Sequence, residues 1–540
     1  MPAQVDVKAE LKAATDRVLA SKSRKKLVVA GPGAGKTYLF SELLKASSGT
    51  PDQYLVLTFI NTLKDDLDRN LGNASRVFTL HGYCQSLLRR NAKVRNGLSE
   101  NFRCYPGLRR LIPLDWKYLR GTAPPTFISR MRNLECEEDE KQFYFERCNY
   151  YDAIDFDDSV YRAHCQMSAD ASLVPAYSLI LIDEFQDFNA MEASIIDLLA
   201  DKSAIVIAGD DDQALYSALR SASWDHIRAH HKDGHYEIFE LPFCMRCPEV
   251  IVGAVNDIIK KAQDGKNLSG RIQKPYRYFE PLKGEDSAKF PRIDLVETSV
   301  QRLNANYFGR YIEECIRAIP KEDVDAAASK NEPVALIIGS HPYRGQVEQH
   351  LKDVGLITVP QKDELSERQK ALQILNDDSN SNLGWRIILS VGNQGTARDR
   401  IREAAKQNRP LAEVISDEQR ASVIAEATAW AAQHPPVDLD EEEQEPTQSI
   451  AVTSYEGSKG RSAQYVFLIG AHSGELPSNA DAIKDIEICR FLVGLTRTKR
   501  KCSILYAKNA MGNFKQPSDF IGWIGNGRFD KKIVNAEYWK

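Results

Sequence analysis

The sequence predicts an α/β protein with two parallel-sheet domains and mainly helical segments inserted between their strands. Three observations lead to that class. Short apolar runs rich in β-branched residues recur, and helix-like stretches follow them, as parallel strands joined by crossover helices require. The runs fall into two groups, one before about residue 240 and one after about residue 330. Between them lie long segments with no strand alternation.

Taken in order, residues 27–30, 54–59, 179–183 and 205–210 make the first group of strands, and 334–339 and 465–470 the second. Residues 38–45 read as a helix after the first strand. Residues 86–175 are Arg-rich, aromatic and punctuated by proline, without strand alternation. Residues 360–434 read as helical, with an Ala-rich periodicity over 401–433. A Pro-Pro pair then leads into the almost wholly acidic run 438–445, read as a solvated loop. No internal repeat stands out.

Composition bounds the function classes. Of the 540 residues, 43% are hydrophobic and 27% charged, which is ordinary for a soluble globular protein. A formal charge of −4 gives no global sign of a nucleic-acid binder, so any such site has to be a local basic channel. The N-terminal residues are polar, and no apolar run approaches the length of a bilayer span. A cytoplasmic protein without a membrane partner is therefore expected. The ten cysteines are scattered. Cys244 and Cys247 form a single C-x-x-C, and Cys104, Cys136, Cys148 and Cys165 match no compact metal set, so structural thiols are expected.

The chemistry starts at Leu27-Val28-Val29-Ala30, which runs directly into Gly31-Pro32-Gly33-Ala34-Gly35-Lys36-Thr37 and then a helix. Strand, glycine-rich loop and helix together make a phosphate loop. Gly33 and Gly35 free the backbone to turn its N–H groups onto one anion, and the helix N-terminus adds partial positive charge. Lys36 can reach the β- and γ-phosphates, and Thr37 can place its hydroxyl on Mg²⁺. A second strand signal, 179–182, ends in Asp183-Glu184-Phe185-Gln186-Asp187. Asp183 is placed to face the metal, with Glu184 next to it to orient and deprotonate water. A third strand leads into Gly209-Asp210-Asp211-Asp212-Gln213, where Gln213 is placed to sense the γ-phosphate or the attacking water.

In order along the chain these segments resemble the motifs of the UvrD/Rep/PcrA-type superfamily 1 DNA helicases. Ala30 to Thr37 resembles the family's phosphate loop, Leu57-Thr58-Phe59-Ile60-Asn61 its first DNA-contacting motif, and Thr79-Leu80-His81-Gly82 the segment that follows. Asp183 to Asp187 reads as the family's DEFQD, and Gly209 to Tyr216 is similar to its third motif. Residues 241–248 (LPFCMRCP) resemble the fourth motif, Gly457-Ser458-Lys459-Gly460 the fifth, and Gly494-Leu495-Thr496-Arg497-Thr498 the sixth.

The resemblance implies two RecA-like domains with ATP and Mg²⁺ bound in the cleft between them. It carries Arg246 and Arg497 over as fingers on the transferred phosphoryl group, and Thr58, Asn61, His81, Tyr216 and Ser458 as contacts to single-stranded DNA. It also implies the division 1–85 and 151–240 for the first core domain, with 86–150 inserted. Residues 241–355 and 450–540 then form the second, with 356–449 as a reduced insertion and acidic linker. The implied activity is ATP-driven 3′→5′ movement on single-stranded or tailed duplex DNA.

The chain departs from the family pattern at several points. Thr15 stands where the family has an adenine-reading Gln, and Met245 where an aromatic stacks on the base. Both weaken the expected preference for adenine. Arg461-Ser462 replaces Leu-Glu in the fifth motif, and Ala218-Leu219 replaces a DNA-stacking Trp, for which Trp224 is a weak substitute. The insertion after Gly355 is much shorter than usual. That shortening motivates an alternative, a nucleic-acid-gated ATPase switch working with a nuclease, repair or defence partner. The chain itself carries no separate carboxylate-plus-lysine cluster of a nuclease.

Overall fold

Leu27 to Ala30 present no polar side chain on either face, so the strand Lys25–Ala30 can be covered from both sides, and it is. The structure, a computed structural model, describes residues 6–59, 64, 67–68, 71–72, 75–302, 305–357, 365–435, 437 and 449–540. Around Lys25–Ala30 a six-stranded, all-parallel sheet forms. Its spatial order is Arg76–Thr79, Tyr54–Thr58, Leu179–Ile182, Ile205–Gly209, Lys25–Ala30 and Glu237–Leu241. A second, larger sheet runs Ile293–Arg302, Thr498–Ala510, Ala463–Ile469, Ala335–Gly339 and Ile450–Thr453, all parallel, with Phe529–Val534 added alongside Ile293–Arg302.

All six runs read from the sequence are strands. Glu237–Leu241 and Phe529–Val534 escape such a reading because they lie at sheet margins with charged side chains facing water. Thr498–Ala510 escapes because its first half is only half-buried. An edge or half-covered strand needs no continuous apolar run.

Among the described residues the segment 360–434 is helical, and the periodicity over 401–433 spans more than one helix. The helix Gln394–Gln407 stops at Asn408, which takes the left-handed conformation with φ 49°, and Pro410 follows. A new helix, Asp417–Ala431, then starts behind the Ser416 cap. Within 86–175, the two-residue strands Arg103–Cys104 and Ala153–Ile154 pair in parallel. The acidic run 438–445 lies outside the described residues.

The two helical segments, far apart in sequence, pack on each other. Helices Leu108–Arg120 and Glu138–Tyr151 share one apolar core with Glu367–Asp377, Asn382–Val391 and Gln394–Gln407, with Trp385 fully buried in it. At the centre of this contact Asp115 is wholly buried and takes both partners available to it. Arg386 Nε donates to one carboxylate oxygen at 2.9 Å and Arg147 Nε to the other at 3.1 Å, joined by the Tyr151 hydroxyl. Among the described residues no helix is long and apolar enough to cross a membrane.

Removing a buried partner costs more than the pair contributes, because the remaining charges lose their compensation. Asp115→Ala, which strands two guanidinium groups, is expected to destabilise the joined helical segments by about 3–5 kcal/mol. Urea unfolding followed by Trp fluorescence checks this, and an unshifted transition would count against it.

Candidate functional site

In open parallel sheets the ligand crevice lies beyond the carboxyl ends of the strands. The predicted chemistry gathers there. Lys25–Ala30 delivers the phosphate loop, Leu179–Ile182 delivers Asp183, and Ile205–Gly209 delivers the turn ending in Gln213. A cavity of about 610 Å³ opens over these ends, lined by residues 31–37, Asp183, Glu184, Gln213, Met245, Arg246, Lys459 and Arg497.

The loop is shaped by its glycines. Gly33 and Gly35 have φ +70° and +87°, a region in which a side chain is strained. Each is also pressed from across the cleft: a Cβ on Gly33 would lie 2.5 Å from Arg246 Cβ, and one on Gly35 2.2 Å from Met245 Cε. Met245 N donates to Gly33 O at 2.9 Å, and the Tyr276 hydroxyl donates to Pro32 O at 3.2 Å. The helix Lys36–Ala46 starts directly after Gly35, with no side-chain cap on its first N–H groups. Those groups are thus left for an anion.

Opposite the loop lies a chain of buried charges. Lys36 Nζ donates to Glu184 Oε1 at 2.8 Å and lies 4.0 Å from Asp183 Oδ1. Glu184 sits in the left-handed region with φ 54°, and its N–H donates to Asp183 Oδ1 at 3.0 Å. Lys459 reaches in from the second sheet's side. Its ammonium bonds Asp187, donates to Gln213 O at 2.6 Å, and lies 3.6 Å from Glu184 Oε2. Burial works to raise the Glu184 carboxyl, but Lys36 and Lys459 overcome it and hold it well below the usual range. Burial pushes Asp183 up to about 6, against the pull of Lys36. The pair therefore splits, with Glu184 firmly ionised and Asp183 the softer acid.

Gln213 and Arg497 complete the centre. Gln213 Nε2 donates to Asp210 Oδ2 at 2.7 Å, so its carbonyl faces the cleft and accepts from Arg497 Nη2 at 3.1 Å. Burial, reinforced by the nearby Arg246, lowers Arg497 to about 10. Arg246 is half-buried beside it and donates to Thr496 O at 3.3 Å. Six side chains from five separate places in the sequence, Lys36, Asp183 and Glu184, Gln213, Arg246 and Arg497, thus line one cleft. The donors suit a divalent cation: the Thr37 hydroxyl and the Asp183 carboxylate line the same cleft, and Asp183 already faces a positive charge in Lys36. Thr37 and Asp183 would hold it.

The base-side expectations have a structural counterpart. Thr15 Oγ1 donates to Leu11 O at 3.3 Å within its own helix and does not line the cavity. Met245 lies over the loop where an aromatic was looked for, and the ring of Tyr276 packs on Gly31 instead.

The residues expected to contact a single strand differ in their exposure. Asn61 lies outside the described residues. Ser458 is fully buried and its hydroxyl donates to Tyr455 O at 2.6 Å, because the Glu456–Ser458 turn folds it inward. Thr58 is fully buried too, at the sheet's interior end, and its hydroxyl has no partner. His81 is buried against Arg220, with Nε2 at 3.1 Å from Nη2, and burial together with Arg220 pushes it down to about 3. All three are thus buried in this structure. Tyr216 remains half-buried, 4.9 Å from the Phe59 ring, with its hydroxyl donating to Glu456 O at 3.0 Å across the cleft. Arg220 lies 4.4 Å over Phe59, while Trp224 packs under Arg228.

Sequence reading missed Lys459, Asp187, Gln186 and Tyr276. Lys459 sat inside the quoted fifth motif, and a lysine in a glycine-rich turn was its only signal. The C-x-x-C is buried behind the loop, with Cys247 N donating to Cys244 Sγ at 3.3 Å, and all ten cysteines are free thiols.

Comparison with known proteins agrees with this geometry. Residues 11–113 and 129–235 match the model of the UvrD/REP helicase N-terminal domain. The ATP-dependent DNA helicase PcrA of Staphylococcus aureus (strain COL) is 25% identical over 319 residues, covering 49% of this chain and 42% of that protein. DNA helicase II of Haemophilus influenzae is 25% identical over 313 residues, covering 49% of this chain and 43% of that protein. The match thus spans less than half the length of these relatives. The phosphate loop, the DEFQD strand end and the Gln213 turn all lie within the stretches that are similar to the UvrD/REP helicase N-terminal domain.

Proposed function

We propose that this chain is an ATP-hydrolysing motor that moves 3′→5′ on single-stranded DNA and opens tailed duplexes. The observation that carries the reading is the reach of Lys459 and Arg497 into the first sheet's cleft, onto Asp187, Glu184 and Gln213. Two RecA-like bodies that share one buried charge network can pass a change in nucleotide state to a change in their separation.

Lys36 and the loop N–H groups bind the phosphates, which takes Lys36 off Glu184. Glu184, kept ionised by its neighbours, then accepts a proton from the attacking water. Gln213 directs its carbonyl at that water, while Arg246 and Arg497 stabilise negative charge on the transferred group. Mg²⁺, held by Thr37 and Asp183, would neutralise the β- and γ-phosphate oxygens. Tyr216 and Arg220, half-buried and packed on the buried Phe59 ring, form an aromatic–cation pair beside the cleft that suits stacked bases of a single strand. The occluded Thr58, His81 and Ser458 then act by shaping that pair or after the cleft opens.

Hydrolysis is expected to be strongly stimulated by single-stranded DNA. Lys36→Ala and Glu184→Gln should each lower the stimulated rate by about a hundredfold or more. Arg497→Ala should lower it by about a thousandfold. Steady-state phosphate release with single-stranded, duplex, tailed and RNA ligands measures all of these, and vigorous hydrolysis indifferent to every nucleic acid would sink the motor reading. Strand displacement on a tailed duplex then separates a motor from a gated switch. Because neither Thr15 nor Met245 offers an amide or ring to the base, GTP should be hydrolysed within about tenfold of ATP, the discrimination left when no polar edge is read. A preference for ATP of several hundredfold would show that another group reads the base.

A further inference from the structure

Asp210, Asp211 and Asp212 bring carboxylate oxygens within 4.8 Å of one another, all buried, in the turn that leads to Gln213. The site has the donors of a cation site, and a cation of this chain fills it. Lys274 Nζ lies 2.8 Å from Asp210 Oδ1, 2.9 Å from Asp211 Oδ1 and 2.8 Å from Asp212 Oδ2, with 2% of its side chain exposed. Arg271 Nε donates to Asp212 Oδ1 at 2.7 Å and Arg228 Nε to Asp211 Oδ2 at 2.9 Å. Three cations thus meet three carboxylates, and the cluster is balanced.

The asymmetry of Asp210 gives the cluster a use. One oxygen, Oδ1, is held by Lys274 and by the N–H of Asp212 at 3.1 Å. The other, Oδ2, accepts from Gln213 Nε2 at 2.7 Å. An amide whose NH₂ is fixed has its carbonyl fixed as well, here toward Arg497 and the cleft. Asp210 N in turn donates to Gln186 Oε1 at 2.9 Å, and Gln186 Nε2 donates to Glu184 Oε2 at 2.6 Å. Burial raises the Asp210 carboxyl, opposed by Lys274, with Asp212 and Asp211 adding to the rise.

We propose that Lys274 is a positioning residue for hydrolysis, fixing the Gln213 carbonyl in the cleft by pinning Asp210. Lys274 and Arg271 follow the helix Glu249–Asp264, which packs on Asp485–Thr496 in the second core. The orientation of Gln213 therefore depends on a side chain brought by the second body as well as on its own turn. This rests on the hydrolytic reading above and deepens it, since nothing in the sequence pattern marked Lys274.

The test is a cycle between Lys274 and Gln213 in the full chain, using ATP and single-stranded DNA. Lys274→Gln alone leaves a surplus of buried negative charge and can fail to fold. Lys274→Gln with Asp211→Asn restores the balance without touching Asp210, and Asp211→Asn alone serves as its reference. Lys274→Arg keeps the charge without the three-way geometry, so the cycle runs on whichever of these variants folds. Relative to its reference, the Lys274 variant is expected to lose about tenfold in kcat with KM for ATP changed by less than about twofold. In a Gln213→Ala background the same change should cost less than about twofold, because its route of action is already gone. A folded variant that keeps kcat, raises only KM, or multiplies the Gln213→Ala loss in full overturns the proposal. A wild-type chain with no hydrolysis above Lys36→Ala overturns the hydrolytic reading and this inference with it. A wild type that is active while its Lys274 variants are unaffected overturns this inference alone.

Discussion

Glu184 is the residue around which the rest of the structure is arranged. A carboxylate taken out of water is tolerated only when it is paired and hydrogen-bonded. Glu184 meets that condition with three partners from three places: Lys36 of the phosphate loop, Gln186 of its own turn, and Lys459 from across the cleft. Because Lys459 belongs to the second sheet's side, satisfying this one charge ties the two sheets together, alongside the bonds of Lys459 to Asp187 and of Arg497 to Gln213. The same contact sets where Gln213 and Arg497 meet, since Lys459 also grips the Gln213 carbonyl group of the backbone. A ligand that draws Lys36 away from Glu184 changes a force that both bodies feel.

On the base side the cleft is built differently from its phosphate side. Every phosphate-facing group is fixed by a hydrogen bond or a left-handed backbone angle. The base side offers a thioether, a threonine turned into its own helix, and a tyrosine ring flat against Gly31. Met245 is adaptable and polarizable, which suits contact with a ring but carries no donor or acceptor pattern to tell one base from another.

The helical segments add a second constraint. They are inserted in different halves of the chain but share one apolar core, closed by the buried Asp115, Arg147 and Arg386 group. That group is costly to break and specific in direction, so it fixes how the short second segment sits on the first. The helices Glu367–Asp377, Asn382–Val391 and Gln394–Gln407 are thus anchored on Leu108–Arg120 and Glu138–Tyr151.

Arg246 and Arg497 stood out only through the resemblance to helicase motifs, whereas local pattern alone marked the strands that carry the phosphate loop and Asp183-Glu184, with Lys36 and Thr37 as candidates. Those features depend on backbone geometry within a few residues, where glycines, a buried apolar run and a following helix leave their mark. Only the tertiary structure decided that Lys459 pairs with Asp187 and Glu184, that Lys274 fills the centre of three aspartates, and that Ser458, Thr58 and His81 are turned inward. It also broke the 401–433 periodicity at Asn408 and Pro410, and placed the charged strand Phe529–Val534 beside Ile293–Arg302. The reason is physical: a charge in a polar stretch looks solvated until the fold buries it, and only then do its long-range partners become compulsory.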